Sequence, residues 1–304
     1  MSDKLSFDEI IRSGVTPTEA VLSLPNMAVV IVGQSGVGKT HLLATFKKRL
    51  LVQQTDPDDK VATYENLGFL PSPVQSNQWS DFQDFYSPKD PDNWIVRVEF
   101  FNERDPRNAK MMPNFMARMN DIERDIRAWK VASIGLDSVT FLELGARFYN
   151  KYSFHPTNKR GADVQDERIH YAAAGRAVEE WIVSRYPGLQ RLCNVVIIAH
   201  TKAKTDESSG ENEDQREEKK VIAAPGQTSA KIAQAFSEVY RLYMDDAGQR
   251  WLQTSLRPSQ NNFECKSTRQ LTDPTQAHWK AIERQLIERY QKRAEALNQK
   301  PKED

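Results

Sequence analysis

Strands that alternate with helices along most of the chain predict an α/β protein on a mostly parallel, doubly wound sheet. Three observations carry that reading. A β-branched apolar run, Met27 to Val32, leads into a glycine loop and then a segment of helical period. Similar short apolar runs recur at 94–98, 131–136 and 194–199, with helix-like segments between them. Last come two strand-like stretches around Asp245-Asp246-Ala247-Gly248 and an amphipathic stretch at 276–297, which add antiparallel C-terminal strands and a C-terminal helix.

Residues 5–24 read as a short helical lead-in, from Phe7, Ile10, Ile11, Ala20, Val21 and Leu22. The first strand is 27–32, and Leu42, Leu43, Phe46 and Leu50 space a helix from His41 to Leu51. Lys60 to Tyr64 reads as a second strand ending at Glu65. Residues 71–92 are loop-like, with Pro71, Pro73, Pro88 and Pro91, yet they hold Trp79, Phe82, Phe85 and Tyr86. Solvated loops seldom hold four aromatics, so this is an insertion packed on its own domain, with a partner surface as the alternative. Trp94 to Val98 is a third strand, and Met111 to Trp129 a helix with Met116, Met119, Ile122 and Ile126 on one face. The fourth strand, 131–136, delivers Asp137, and helices follow at 141–149 and 170–184. The fifth strand, 194–199, ends at His200. Residues 206–218 contain seven carboxylates and no apolar side chain, which predicts a mobile loop.

At 304 residues, 39% hydrophobic and 28% charged, the chain can bury the core of one large domain with small appendages. The expected division is a lead-in at 1–25, a core at 26–275 containing the 71–92 insertion and a mobile 201–226 loop, and a C-terminal helix and tail at 276–304. No apolar run is long enough to span a membrane. The absence of a signal-peptide pattern, with only the isolated Cys193 and Cys265, leads to the expectation of a cytoplasmic protein. A formal net charge of zero argues against a surface coated in positive charge but leaves room for a local basic groove.

The chemistry centres on Gly33-Gln34-Ser35-Gly36-Val37-Gly38-Lys39-Thr40, a full match to G-x-x-x-x-G-K-[S/T]. Between a strand and a helix, such a loop turns backbone N–H groups toward phosphate oxygens. Lys39 would reach the β- and γ-phosphates, and Thr40 would ligate Mg²⁺. Asp137, at the end of an apolar strand, is the expected carboxylate partner of that Mg²⁺, and ATP is the expected substrate. Hydrolysis also needs a group that orients water. Glu65 is the candidate, with Glu99 and Glu103 as alternatives, and His200 could hydrogen-bond the γ-phosphate or the water.

The phosphate loop, the Tyr64-Glu65 strand end, Leu136 to Thr140 and Ile198-Ala199-His200 resemble a RecA-type P-loop ATPase core. With Pro225-Gly226-Gln227, Ile232 to Leu242, Leu252-Gln253-Thr254 and Phe263 to Arg269, the chain is similar to bacteriophage RecA-like ATPases over roughly 26–275. That resemblance implies a ring or filament on single-stranded DNA, acting in recombination, annealing or replication. It implies Lys266 or Arg269 as a finger on the neighbouring subunit's γ-phosphate; the spacing here, one residue longer than the family's K-x-R, leaves open which. It also implies two DNA-facing segments. One holds Lys151, Lys159 and Arg160 among aromatic residues; the other, at 201–226, holds Lys202 and Lys204 beside the acidic run. The alternatives are a nucleotide-switched module that recruits replication or packaging proteins, and a helicase-like or packaging motor.

Overall fold

The computed structural model describes residues 24–56, 61–103, 105–153, 167–205, 218–223, 228–255 and 265–298. In chain order the strands are β1 (Ala28–Gly33), β2 (Leu50–Gln54), β3 (Leu70–Pro71), β4 (Gln75–Ser76), β5 (Asp81–Ser87), β6 (Asp90–Phe100) and β7 (Ser133–Asp137). They continue with β8 (Asn194–Thr205), β9 (Glu218–Ile222), β10 (Glu238–Met244), β11 (Arg250–Gln253), β12 (Lys266–Ser267) and β13 (Thr275–Gln276). The longer helices are α1 (Lys39–Ala44), α2 (Val61–Glu65), α3 (Met111–Asp125), α4 (Val139–Phe148), α5 (Glu167–Glu179), α6 (Thr228–Ala235) and α7 (Trp279–Asn298).

Among the described residues the strand order is β13-β11-β10-β1-β8-β7-β2-β6-β5-β3, with β12 on β10, β4 on β5 and β9 on β8. Pairings from β10 through β6 are parallel, and both edges are antiparallel. The parallel strands are apolar without alternation because both their faces are covered. In β1, Ala28, Val30 and Val32 join one core cluster with Phe115, Met119 and Ile122 of α3. Val29 and Ile31 join the other, with Leu42 and Leu43 of α1 and Ile282 and Leu286 of α7. Each such aliphatic side chain contributes about 1.5–3 kcal/mol by leaving water. One close approach matters for the site: a Cβ on Gly135 of β7 would lie 2.6 Å from Leu43 Cδ1 of α1.

Several expectations are corrected. The helix predicted to Leu51 stops at Ala44, and Leu50 to Gln54 form β2, fully buried between β6 and β7. The leucine spacing that suggests a continuing helix instead carries a strand whose pairing on both sides outweighs local period. The segment predicted as the second strand is helix α2, over Val61–Glu65. Residues 71–92 are not a loop: β5 runs antiparallel to β6, with Phe82 and Phe85 buried, so the aromatics do pack on their own domain. Strand β8 does not end at His200 but continues to Thr205 and pairs antiparallel with β9. Within the expected 201–226 loop, Thr201–Thr205 and Glu218–Ile222 therefore form a two-stranded stem; 206–217, most of the acidic run, and 224–226 lie outside the described residues, as do 1–23, Lys159 and Arg160.

Candidate nucleotide site

Strand β1 ends at Gly33, and the turn that follows requires left-handed backbone at Gly36 (φ 76°) and Gly38 (φ 97°), which glycine adopts without steric cost. Gly33 packs so closely on β10 that a Cβ there would lie 2.8 Å from the Leu242 carbonyl oxygen. Lys39 is buried, and its Nζ donates to the Gly33 carbonyl at 3.0 Å and the Gln34 carbonyl at 2.7 Å. The ammonium thus lies along the inside of the loop that Gly33 to Thr40 form, where phosphate oxygens would take over its donors.

Across the sheet, Thr40 Oγ1 donates to Asp137 Oδ2 at 2.6 Å. Asp137 ends β7, with β8 between its strand and β1. It is buried, and its carbonyl accepts from Thr55 N at 2.7 Å and Asp56 N at 3.2 Å. Thr55 Oγ1 donates to the Ser138 carbonyl at 2.6 Å, and Ser138 N donates back to Thr55 Oγ1 at 2.9 Å. The carboxyl ends of β2 and β7 are therefore laced together, and the backbone of a second buried acid, Asp56, is tied to that of Asp137. The Ser138 hydroxyl is buried there with no hydrogen-bond partner among the described residues.

The hydroxyl of Thr40 and the carboxylate of Asp137 are hard oxygen donors on adjacent elements, which suits Mg²⁺. Among the described residues no group of three or more His, Cys, Asp or Glu could hold a metal.

The other sequence candidates separate. Glu65 is exposed on α2, whereas its neighbour Tyr64 turns inward and is fully buried. Burial first, then the charge of Asp137, raises the Tyr64 hydroxyl pKa above its ordinary value. Glu99 is fully buried and bound by Arg118, whose Nε donates to both carboxylate oxygens at 2.9 and 3.1 Å. Glu103 accepts from the Met111 N–H at the start of α3. Both alternatives are thus engaged in holding α3. His200 stands opposite Gly33 in the β1–β8 pairing, with its ring edge-on to Phe141.

Lys266 and Arg269 belong to the opposite end of the sheet, since β12 pairs with Glu238 and Val239 where β10 begins. Arg269 Nη2 donates to the Asn26 carbonyl at 2.9 Å, and Nε lies 4.0 Å from the buried Glu238 carboxylate. They do not meet the phosphate loop of their own chain. Lys151 lies in a widened turn after α4, its Nζ 5.5 Å from the Tyr152 ring centroid. Lys202 and Lys204 fall on the β8 arm of the stem.

Sequence reasoning missed Asp56 and Arg250. Asp56 is followed by Pro57-Asp58-Asp59, which reads as a turn rather than a strand end. Arg250 opens β11 and lies against Gly38, a proximity that only the antiparallel return of the chain creates.

Residues 25–263 match a family model described as "AAA domain". No curated protein matches the chain. Among solved structures, it is similar to an ATPase from the type III secretion system of pathogenic bacteria, at 14% identity and a TM-score of 0.38. That match covers 72% of this chain and 52% of that one, so the chain spans about half the length of the secretion ATPase it matches. It is also similar to a KaiC-like protein of Pyrococcus horikoshii, at 11% identity and a TM-score of 0.36, covering 78% of this chain and 82% of that one. The mostly parallel sheet, phosphate loop and strand-end aspartate form an α/β P-loop domain. Among the described residues no helix is long and apolar enough to cross a membrane.

Proposed function

The chain belongs to the AAA domain family, enzymes that hydrolyse ATP, and we propose that it binds Mg²⁺-ATP at Gly33 to Thr40 and hydrolyses the γ-phosphate. The observation that carries this reading is the 2.6 Å bond from Thr40 to Asp137, which joins the phosphate loop to a buried strand-end carboxylate. Lys39 neutralises charge on the β- and γ-phosphates, and Thr40 and Asp137 hold Mg²⁺. The metal, when bound, supplies positive charge to the developing phosphate oxyanions. Asp56, buried beside Asp137 at the end of β2, orients and accepts a proton from the attacking water. Glu65 remains the second candidate for that role; it would have to turn inward from the exposed face of α2.

The reading extends to action on single-stranded DNA in phage recombination, annealing or replication, as a ring or filament in the cytoplasm. Lys202 and Lys204, on a stem that grows from the strand beside β1, support it, as does Lys151 beside Tyr152. In a ring or filament, Lys266 or Arg269 would serve the neighbour's site. The seven carboxylates of 206–218 favour a second reading, a nucleotide-switched module that engages a protein partner.

The test is steady-state ATP hydrolysis by wild type, Asp56→Asn and Glu65→Gln, with and without single-stranded DNA. Asp56→Asn should lose roughly 10²-fold in turnover while still binding ATP, with Glu65→Gln within about twofold of wild type. The reverse order would return the role to Glu65. Rates blind to DNA would favour the protein-partner module, and strand displacement would point to a motor.

A further inference from the structure

Arg250 is exposed, yet it is anchored over the phosphate loop. A Cβ on Gly38 would lie 2.6 Å from its Nε, 3.0 Å from its Cδ and 3.1 Å from its Cζ. Its guanidinium has no hydrogen-bond or ion-pair partner among the described residues. One acid of its hairpin, Asp245, is otherwise occupied: Trp251 Nε1 donates to it at 2.7 Å, Gln249 N at 2.8 Å and Ala247 N at 3.1 Å. His41 and His278 both lie near, and the His41 pKa is lowered by burial first, then by Arg250 and His278. A cation held against backbone, without an acid, is complementary to an anion lying in the loop.

Position along the sheet says which part of that anion it meets. The loop sits on β1. Strands β8, β7 and β2, with Asp137 and Asp56, lie to one side, and β10 and β11, with Arg250, lie to the other. Thr40 and Asp137 mark the metal and γ-phosphate side, so Arg250 stands on the side where the nucleoside end of the ligand leaves the loop.

We propose that Arg250 binds the nucleotide in cis, contacting the phosphate nearest the nucleoside and leaving the γ-phosphate to Lys39 and the Asp137 side. This rests on the nucleotide reading above and adds a contact that ATP and ADP share. Arg250 therefore contributes affinity for the diphosphate as much as for the triphosphate.

The experiment is titration of the full chain with fluorescent ATP and ADP analogues, for wild type, Arg250→Ala, Arg250→Gln and Arg250→Lys. Arg250→Ala and Arg250→Gln should raise the Kd for both nucleotides by the same factor, about tenfold. Arg250→Lys should recover part of the loss, and added salt should narrow the gap to wild type. Thermal melts of the nucleotide-free variants should overlay that of wild type, which separates contact from folding. Equal ADP affinity in wild type and Arg250→Gln overturns the inference, as does a loss confined to ATP, which would move Arg250 to the γ-phosphate. Wild type that binds neither nucleotide would instead sink the nucleotide reading itself.

Discussion

Strand β10 has an arginine beside each of its ends, and the fold treats the two in opposite ways. At the amino end, Arg269 is bonded to the Asn26 carbonyl and lies beside Glu238, a carboxylate that also accepts from the Thr268 and Tyr240 hydroxyls. At the carboxyl end, Arg250 lies against Gly38 and has no acid partner among the described residues. The residue type is the same, but one side chain closes the wall between strand and chain entry while the other is left with charge to offer. An arginine's role is thus read from what already neutralises it, and the end of the sheet decides that. In a parallel sheet the carboxyl ends of the strands are where ligands bind.

Lys39→Ala gives the largest effect expected at the carboxyl end. Removing the ammonium that lines the loop should lower ATP turnover by roughly 10²–10³-fold, measured by phosphate release, with the melting temperature unchanged. Normal turnover would remove the phosphate loop from the chemistry. Arg269→Ala should act in the other currency. It leaves the fully buried Glu238 short of a cation and should cost about 3 kcal/mol of folding stability by urea titration. ATP affinity of the folded protein should stay within about twofold, because Arg269 is remote from its own loop. Turnover lost with stability intact would break the comparison and make Arg269 the finger that acts on a neighbour.

The smallest effect concerns a third cation. Lys48 is bonded to the Ala44 carbonyl and lies 5.0 Å from the Phe69 ring centroid, and burial pushes its pKa down to about 7 from 10.5. The unfolded chain therefore holds the extra proton between those values, so this group makes stability rise as pH climbs from about 7 toward 10.5. Urea midpoints at the two ends of that window should differ more for wild type than for Lys48→Met. An equal difference would mean that Lys48 stays charged, like Arg250, in spite of its burial.

What the sequence showed plainly was whatever needs no partner to be recognised. The apolar runs of β1, β7 and β8 are legible because burial on both faces leaves no polar position in their middles, and the loop is legible because phosphate binding demands its glycines. Asp137 follows from its strand. Strand β2 was hidden because it closes on Gln53 and Gln54, polar side chains that the sheet buries, and because its leucines continue the spacing of α1. That misreading drew attention to Glu65, at the end of the expected second strand, and away from Asp56. Arg250 could not be seen at all: nothing local distinguishes it from other arginines, and its meaning comes from a strand pairing that returns it to Gly38.

Gly135 has a consequence of its own. The hydrogen on its Cα is what lets Leu43, and with it α1, rest on β7, so that Thr40 can reach Asp137. One absent methyl group sets the clearance between the helix that carries Thr40 and the strand that ends at Asp137. Positions 43 and 135 consequently share one space, and a larger residue at 135 asks the Leu43 side chain to turn away or give up a methyl group.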